Sequence, residues 1–146
     1  MSDDDRTSPT PAPGDAGAAT VRVPRSTDLF LADCRARIGI EVLAHAWNGV
    51  VVFGLRDGPR RPSELRAAIG GISGKVLTQT LRRLEEYGLV ERRRFAQAPP
   101  RVEYGLTDVG RGLLGPLEAL GAWSWEYGDA VLAAQERAAA RAAGEG

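Results

Sequence analysis

The sequence predicts a mainly α-helical fold with one small β-hairpin (α+β), arranged as a winged helix-turn-helix. Three observations predict it. Two short helical stretches flank the pair Gly70-Gly71. The second stretch, Ser73 to Tyr87, has leucines on one face and polar or basic groups on the other. Two β-prone stretches follow at once, on either side of Pro99-Pro100.

Taken in order, residues 1–26 are rich in Asp, Ser, Thr, Pro, Gly and Ala and lack aromatics and apolar periodicity. They are expected to be a disordered tail. Ordered structure is expected from Leu29, with a short helix around Cys34 and then a longer one. In "IEVLAHAWNGVVVFGLRDG" the apolar groups Ile40, Leu43, Trp47, Val50, Val51 and Leu55 recur at helical spacing and are expected to face a core. Asp57-Gly58-Pro59 stops that helix. Pro62 suits a first helical position, where its missing N–H is not needed. Leu65, Ala68 and Ile69 form a short apolar face, and the two glycines end the helix.

Ser73 is the expected N-cap of the next helix, with Ile72 and Leu77 placed as a hydrophobic staple. Gly88 is a suitable stop. "LVERRRFAQ" and "RVEYGLT" read as paired antiparallel strands. Thr107-Asp108 can cap a last helix, kinked at Gly115-Pro116 and running into an Ala-rich end. The expected organisation is a tail over 1–26, one domain over 27–128, and a helical extension with a frayed end over 129–146.

The net charge of zero hides an uneven distribution. Residues 56–111 carry twelve basic and seven acidic groups, a net of +5, between an N-terminal stretch (1–33) and a C-terminal stretch (112–146) of −3 each. A local basic surface is the electrostatic footprint of a nucleic-acid binder, although a solvated charged face looks the same in sequence.

At about 100° per residue, Leu77, Leu81 and Leu84 share one face of the Ser73–Tyr87 helix, with Thr80 beside them. Lys75, Thr78, Gln79, Arg82 and Arg83 lie opposite. Gln pairs with adenine, Arg with guanine, and the Thr methyl meets the thymine methyl in a major groove. In the wing, alternation puts Arg92 and Arg94 on the face of Val90, and Arg93 on the other. Carboxylates such as Glu91 or Glu103 are expected to anchor one or two of these arginines. The candidate DNA-binding residues are Ser73, Lys75, Thr78, Gln79, Arg82 and Arg83 on the helix, with Arg93 and Arg101 in the wing.

Other chemistries find little support. No phosphate-binding loop, dinucleotide motif, zinc-protease motif or catalytic triad pattern appears. One histidine and one cysteine exclude most nucleophile–base pairs, so no enzymatic activity and no cofactor are expected. His45 has no His or Cys partner at ligand spacing, which argues against a metal site and for a satisfied helix histidine. A single cysteine, an acidic start without a signal-peptide pattern, and no apolar run near ~20 residues lead to an expected cytoplasmic, nucleoid-associated location. Trp47, Trp123 and Trp125 either line a small-molecule effector pocket or pack in the core or a dimer interface.

The segment "GPRRPSELRAAIGGISGKVLTQTLRRLEEYGLVERRRFAQAPPRVEYGLTDVGRGLL" (58–114) resembles the DNA-binding core of the HxlR family of bacterial winged-helix transcriptional regulators. "GISGKVLTQTLRRLEEYGLVERR" and "PPRVEYGLTDVGR" carry the most specific likeness, and the similarity extends over roughly 29–127. The resemblance implies a homodimer on double-stranded, inverted-repeat operator DNA, with the N- and C-terminal helices as the dimer interface. Cys34 stands where some members carry a sensor of oxidants or electrophiles; an inert buried thiol is the alternative. Two positions depart from the family. His45-Ala46-Trp47 replaces Gly-Lys-Trp, removing a positive charge, and Pro62 stands where an aromatic is common. A winged-helix interaction or dimerisation module that does not bind DNA remains an alternative.

Overall fold

The computed structural model describes residues 35–146. The tail and Cys34 lie outside the described residues. The element order is α1 (Ala36–Leu43), α2 (Ala46–Gly54), α3 (Pro62–Ile69), α4 (Gly74–Glu86), β1 (Val90–Phe95), β2 (Arg101–Leu106), α5 (Asp108–Gly112) and α6 (Leu114–Gly144).

One core joins these pieces. Val51, Val52 and Leu55 of α2, Leu65 of α3, and Leu77, Leu81 and Leu84 of α4 are buried together. Ile72, Leu89, Val90 and Leu106 close it from the turn and the hairpin base. The strands pair antiparallel, from Val90 opposite Leu106 to Phe95 opposite Arg101. A short bridge adds a third backbone segment: Arg60 and Tyr104 exchange two N–H···O bonds of 2.9 Å each. That bridge ties the wing to the start of α3.

The helix expected across 40–55 is broken in two. Ala44 and His45 separate α1 from α2, and His45 has extended backbone (φ −93°, ψ 116°) at the N-cap of α2. The break resets the helical phase. Ile40 and Val50, expected in the core, are 56% and 43% exposed. In an unbroken helix the Val42 carbonyl would accept from the N–H of residue 46. Here it accepts from the side-chain amide of Asn48 at 2.7 Å. His45 is exposed and makes no capping bond with its side chain.

The last helix is also divided, at Leu113, just before the expected kink. Pro116 consequently falls in the first turn of α6, where N–H groups lack intrahelical acceptors anyway. From there α6 runs 31 residues, straight through position 128, and none of its residues is buried. At 1.5 Å per residue it is ~46 Å long.

Candidate nucleic-acid interface

The turn between α3 and α4 needs left-handed backbone, and Gly70 and Gly71 supply it with φ of 70° each. Ile72 is buried immediately after the turn, and Arg66 Nε donates to its carbonyl at 3.1 Å. Ser73 Oγ accepts from Val76 N at 3.1 Å, so the expected N-cap starts α4 in this fixed position.

Once α4 is anchored by Leu77, Leu81 and Leu84, its other face is set. Thr80 is also buried, with its hydroxyl donating to Val76 O at 2.8 Å. Lys75, Thr78, Gln79 and Arg82 are all exposed. Thr78 turns its hydroxyl back onto the helix, donating to Gly74 O at 2.8 Å. Lys75 and Arg82 form no ion pair among the described residues, so they keep their charge available for an anionic partner.

Arg83 is placed differently from its neighbours. It is half-buried, and its Nη1 donates to Asn48 Oδ1 at 3.1 Å. This bond joins α4 to α2 through an asparagine that is fully buried. Periodicity puts Arg83 at the edge of the polar face, and a buried asparagine 35 residues away leaves no local mark in sequence.

Register sorts the wing into two faces. Val90 and Leu106, Arg92 and Tyr104, and Arg94 and Val102 are opposed pairs on the core side. Glu91, Arg93, Phe95, Arg101 and Glu103 lie on the other side. On that outer face one arginine of the run has an expected carboxylate partner, and Arg101, expected as a DNA contact, has one as well. Arg93 Nε donates to Glu91 Oε1 at 3.0 Å, and Arg101 pairs with Glu103. The Arg101 guanidinium also lies 5.9 Å from the centre of the Phe95 ring. Arg92 and Arg94 are exposed and have no ion-pair partner among the described residues. Tyr104, opposite Arg92, still packs against the core, while Arg92 and Arg94 themselves meet solvent.

A second surface lies away from the wing. Leu43, Ala46, Gly49, Val50 and Phe53 face Leu117, Leu120 and Gly121 across an apolar groove of about 610 Å³. None of the three tryptophans lines it. Trp47 is partly buried against the core. Trp123 stands 5.8 Å from Tyr127, centre to centre, and Trp125 is 93% exposed. Among the described residues no cluster of His, Cys, Asp or Glu is arranged to hold a metal ion, and no helix is long and apolar enough to cross a membrane.

The HxlR-like helix-turn-helix family model matches residues 42–131. The helix-turn-helix transcriptional regulator YkvN of Bacillus subtilis is 42% identical over 96 residues, covering 66% of this chain and 81% of that protein. The regulator YtfH of Escherichia coli is 35% identical over 113 residues, covering 77% and 90%. Among solved structures, the redox regulator HypR in its oxidised form is 33% identical with a TM-score of 0.59, covering 64% of this chain and 96% of that one. The reduced form of the transcriptional regulator YodB from B. subtilis is 34% identical with a TM-score of 0.56, covering 61% and 87%. A glycine-turned helix pair, an outward polar face on α4 and an arginine-bearing wing thus coincide with a match over most of the described residues, and the chain belongs to the HxlR family of helix-turn-helix, DNA-binding transcriptional regulators.

Proposed function

We propose that the protein regulates transcription as a homodimer bound to an inverted-repeat operator, each protomer inserting α4 into a major groove. The exposed face of α4 carries this reading. Lys75, Thr78, Gln79 and Arg82 point away from the leucines that fix the helix, so they are the side chains a groove would meet. Gln79 and Arg82 read base edges, Lys75 and Ser73 approach phosphates, and the wing lies on the flanking backbone. Arg92 and Arg94 are the wing's principal phosphate contacts. Arg93 and Arg101 share their charge with Glu91 and Glu103 and contribute less.

Dimerisation accounts for the exposed apolar residues of α6. Leu120, Trp123, Trp125, Val131 and Leu132 are between 41% and 93% exposed. Covering such a surface with its own copy removes it from water. A regulator of this kind works in the cytoplasm, at the nucleoid.

The test is recovery of bound DNA genome-wide, followed by binding of purified protein to recovered and random duplexes at moderate salt. A preference for recovered inverted repeats supports the reading. Equal, weak binding to both favours the interaction-module alternative.

A second reading concerns oxidants. HypR is a redox regulator, and YodB has been solved both reduced and treated with diamide. Cys34 is the only cysteine here, so any disulfide it forms needs a second thiol from another molecule. Diamide treatment that changes operator affinity in the wild type and leaves Cys34→Ser unaffected supports a thiol switch. An unchanged wild type removes it.

A further inference from the structure

We propose that Asn48 is the positioning residue of the DNA-reading helix, fixing the rotation of α4 through Arg83 and tying it to the end of α1. The inference rests on the DNA-binding reading above and concerns how that reading surface is held.

Asn48 is fully buried, and both ends of its amide are used. Nδ2 donates to Val42 O at 2.7 Å, and Oδ1 accepts from Arg83 Nη1 at 3.1 Å. A buried amide that is only half satisfied is costly, so the two bonds hold each other in place. Loss of the Val42 bond leaves a carbonyl unpaired at the α1–α2 break. Loss of the Arg83 bond leaves a buried acceptor unpaired.

Position makes this pair act on recognition. Arg83 follows Arg82 directly and lies one turn beyond Gln79, at the edge of the reading face. The leucines of α4 set which face of the helix is buried. A hydrogen bond at the margin of the packed face resists rotation. On the other side of α2, Gly49 approaches α6 so closely that a Cβ would lie 3.0 Å from Leu117 Cδ2. Thus α2 is seated against α6 by one residue and holds α4 by the next. The bond to Val42 adds the end of α1 to the same unit.

The assignment changes the role of Arg83. Its guanidinium serves Asn48, and its loss should perturb which sequence is read more than how strongly phosphates are held.

The experiment uses the full chain, with Asn48→Leu, Arg83→Met and the double variant. Affinity for the recovered operator and for random duplex is measured across salt concentrations. Each single variant is expected to lose about tenfold in operator affinity, the order of one charge-assisted hydrogen bond. Affinity for random DNA and the salt slope should stay as in the wild type. The double variant should be no worse than the poorer single one.

A merely structural Asn48 would lower the melting temperature and leave the operator-to-random ratio unchanged; that result overturns the proposal. A salt slope reduced by about one in Arg83→Met would make Arg83 a phosphate contact and also overturn it. If Asn48→Leu does not fold, Arg83→Met decides the matter, because its side chain is half-exposed and keeps an apolar stem. A wild type without operator preference refutes the functional reading, and this proposal with it. A wild type that keeps its preference beside unchanged variants refutes the proposal alone.

Discussion

Gly110 lies directly against the carbonyl oxygen of Leu89: a Cβ at position 110 would sit 2.0 Å from that oxygen. The same carbonyl accepts from Thr107 N at 3.1 Å, and Thr107 Oγ1 donates to Gly88 O at 2.6 Å. These contacts pin the end of the wing to the segment that follows α4. Any side chain at 110 must push backbone away from backbone. Gly110→Ala is therefore expected to destabilise the fold by about 3 kcal/mol or more, at the severe end of single substitutions. Urea unfolding checks this. Gly105→Ala is a milder control, since its Cβ would meet Pro59 Cγ at 3.2 Å.

Ser73 separates a capping role from a DNA role. Its Oγ accepts from Val76 N, so Ser73→Ala should cost about 1 kcal/mol of stability. Ser73→Asp keeps an acceptor at the helix start and should retain stability, while its negative charge weakens DNA binding. Thermal melts paired with binding isotherms read both effects.

On the wing, the two classes of arginine should behave differently. Arg94→Ala is expected to weaken binding to all sequences alike and reduce the salt slope by about one. Arg93→Ala should have a smaller effect, because Glu91 already shares its charge. Glu91→Gln releases Arg93 and should tighten binding to random DNA at low salt. Titrations at several salt concentrations distinguish the three.

Base reading is expected at Gln79 and Arg82. Replacing either by alanine should cost about 1–3 kcal/mol on the best operator and relax preference at one base pair per half-site. Binding selection from a randomised duplex pool gives the altered preference directly.

For assembly, Trp125→Glu places a charge on the most exposed tryptophan of α6. Sedimentation should show a dimer for the wild type and a shift towards monomer for the variant. The melting temperature of the variant should depend less on protein concentration.

Much of the site is local and was therefore legible. A Ser N-cap, a leucine stripe of period 3.6, a glycine pair and β-prone strands each act over a few residues, and each appears where the sequence puts it. The misplaced features are non-local. No proline or glycine marks the break at Ala44-His45; it is held by the Asn48 amide on the Val42 carbonyl. The kink expected at Gly115-Pro116 moves to Leu113, because proline is tolerated in a first turn.

The sequence by itself determined the helix-turn-helix, the wing and which face of α4 is polar, because periodicity and turn chemistry are properties of neighbouring residues. Glu91 and Glu103 were expected as carboxylate partners, but only the tertiary structure decided which arginines take them and that Arg83 goes to Asn48. Whether a guanidinium is available to DNA depends on what lies across from it: Asn48 for Arg83, Glu91 for Arg93, Glu103 for Arg101, and solvent for Arg82, Arg92 and Arg94. Charge is written in the sequence, but its partner is chosen by packing.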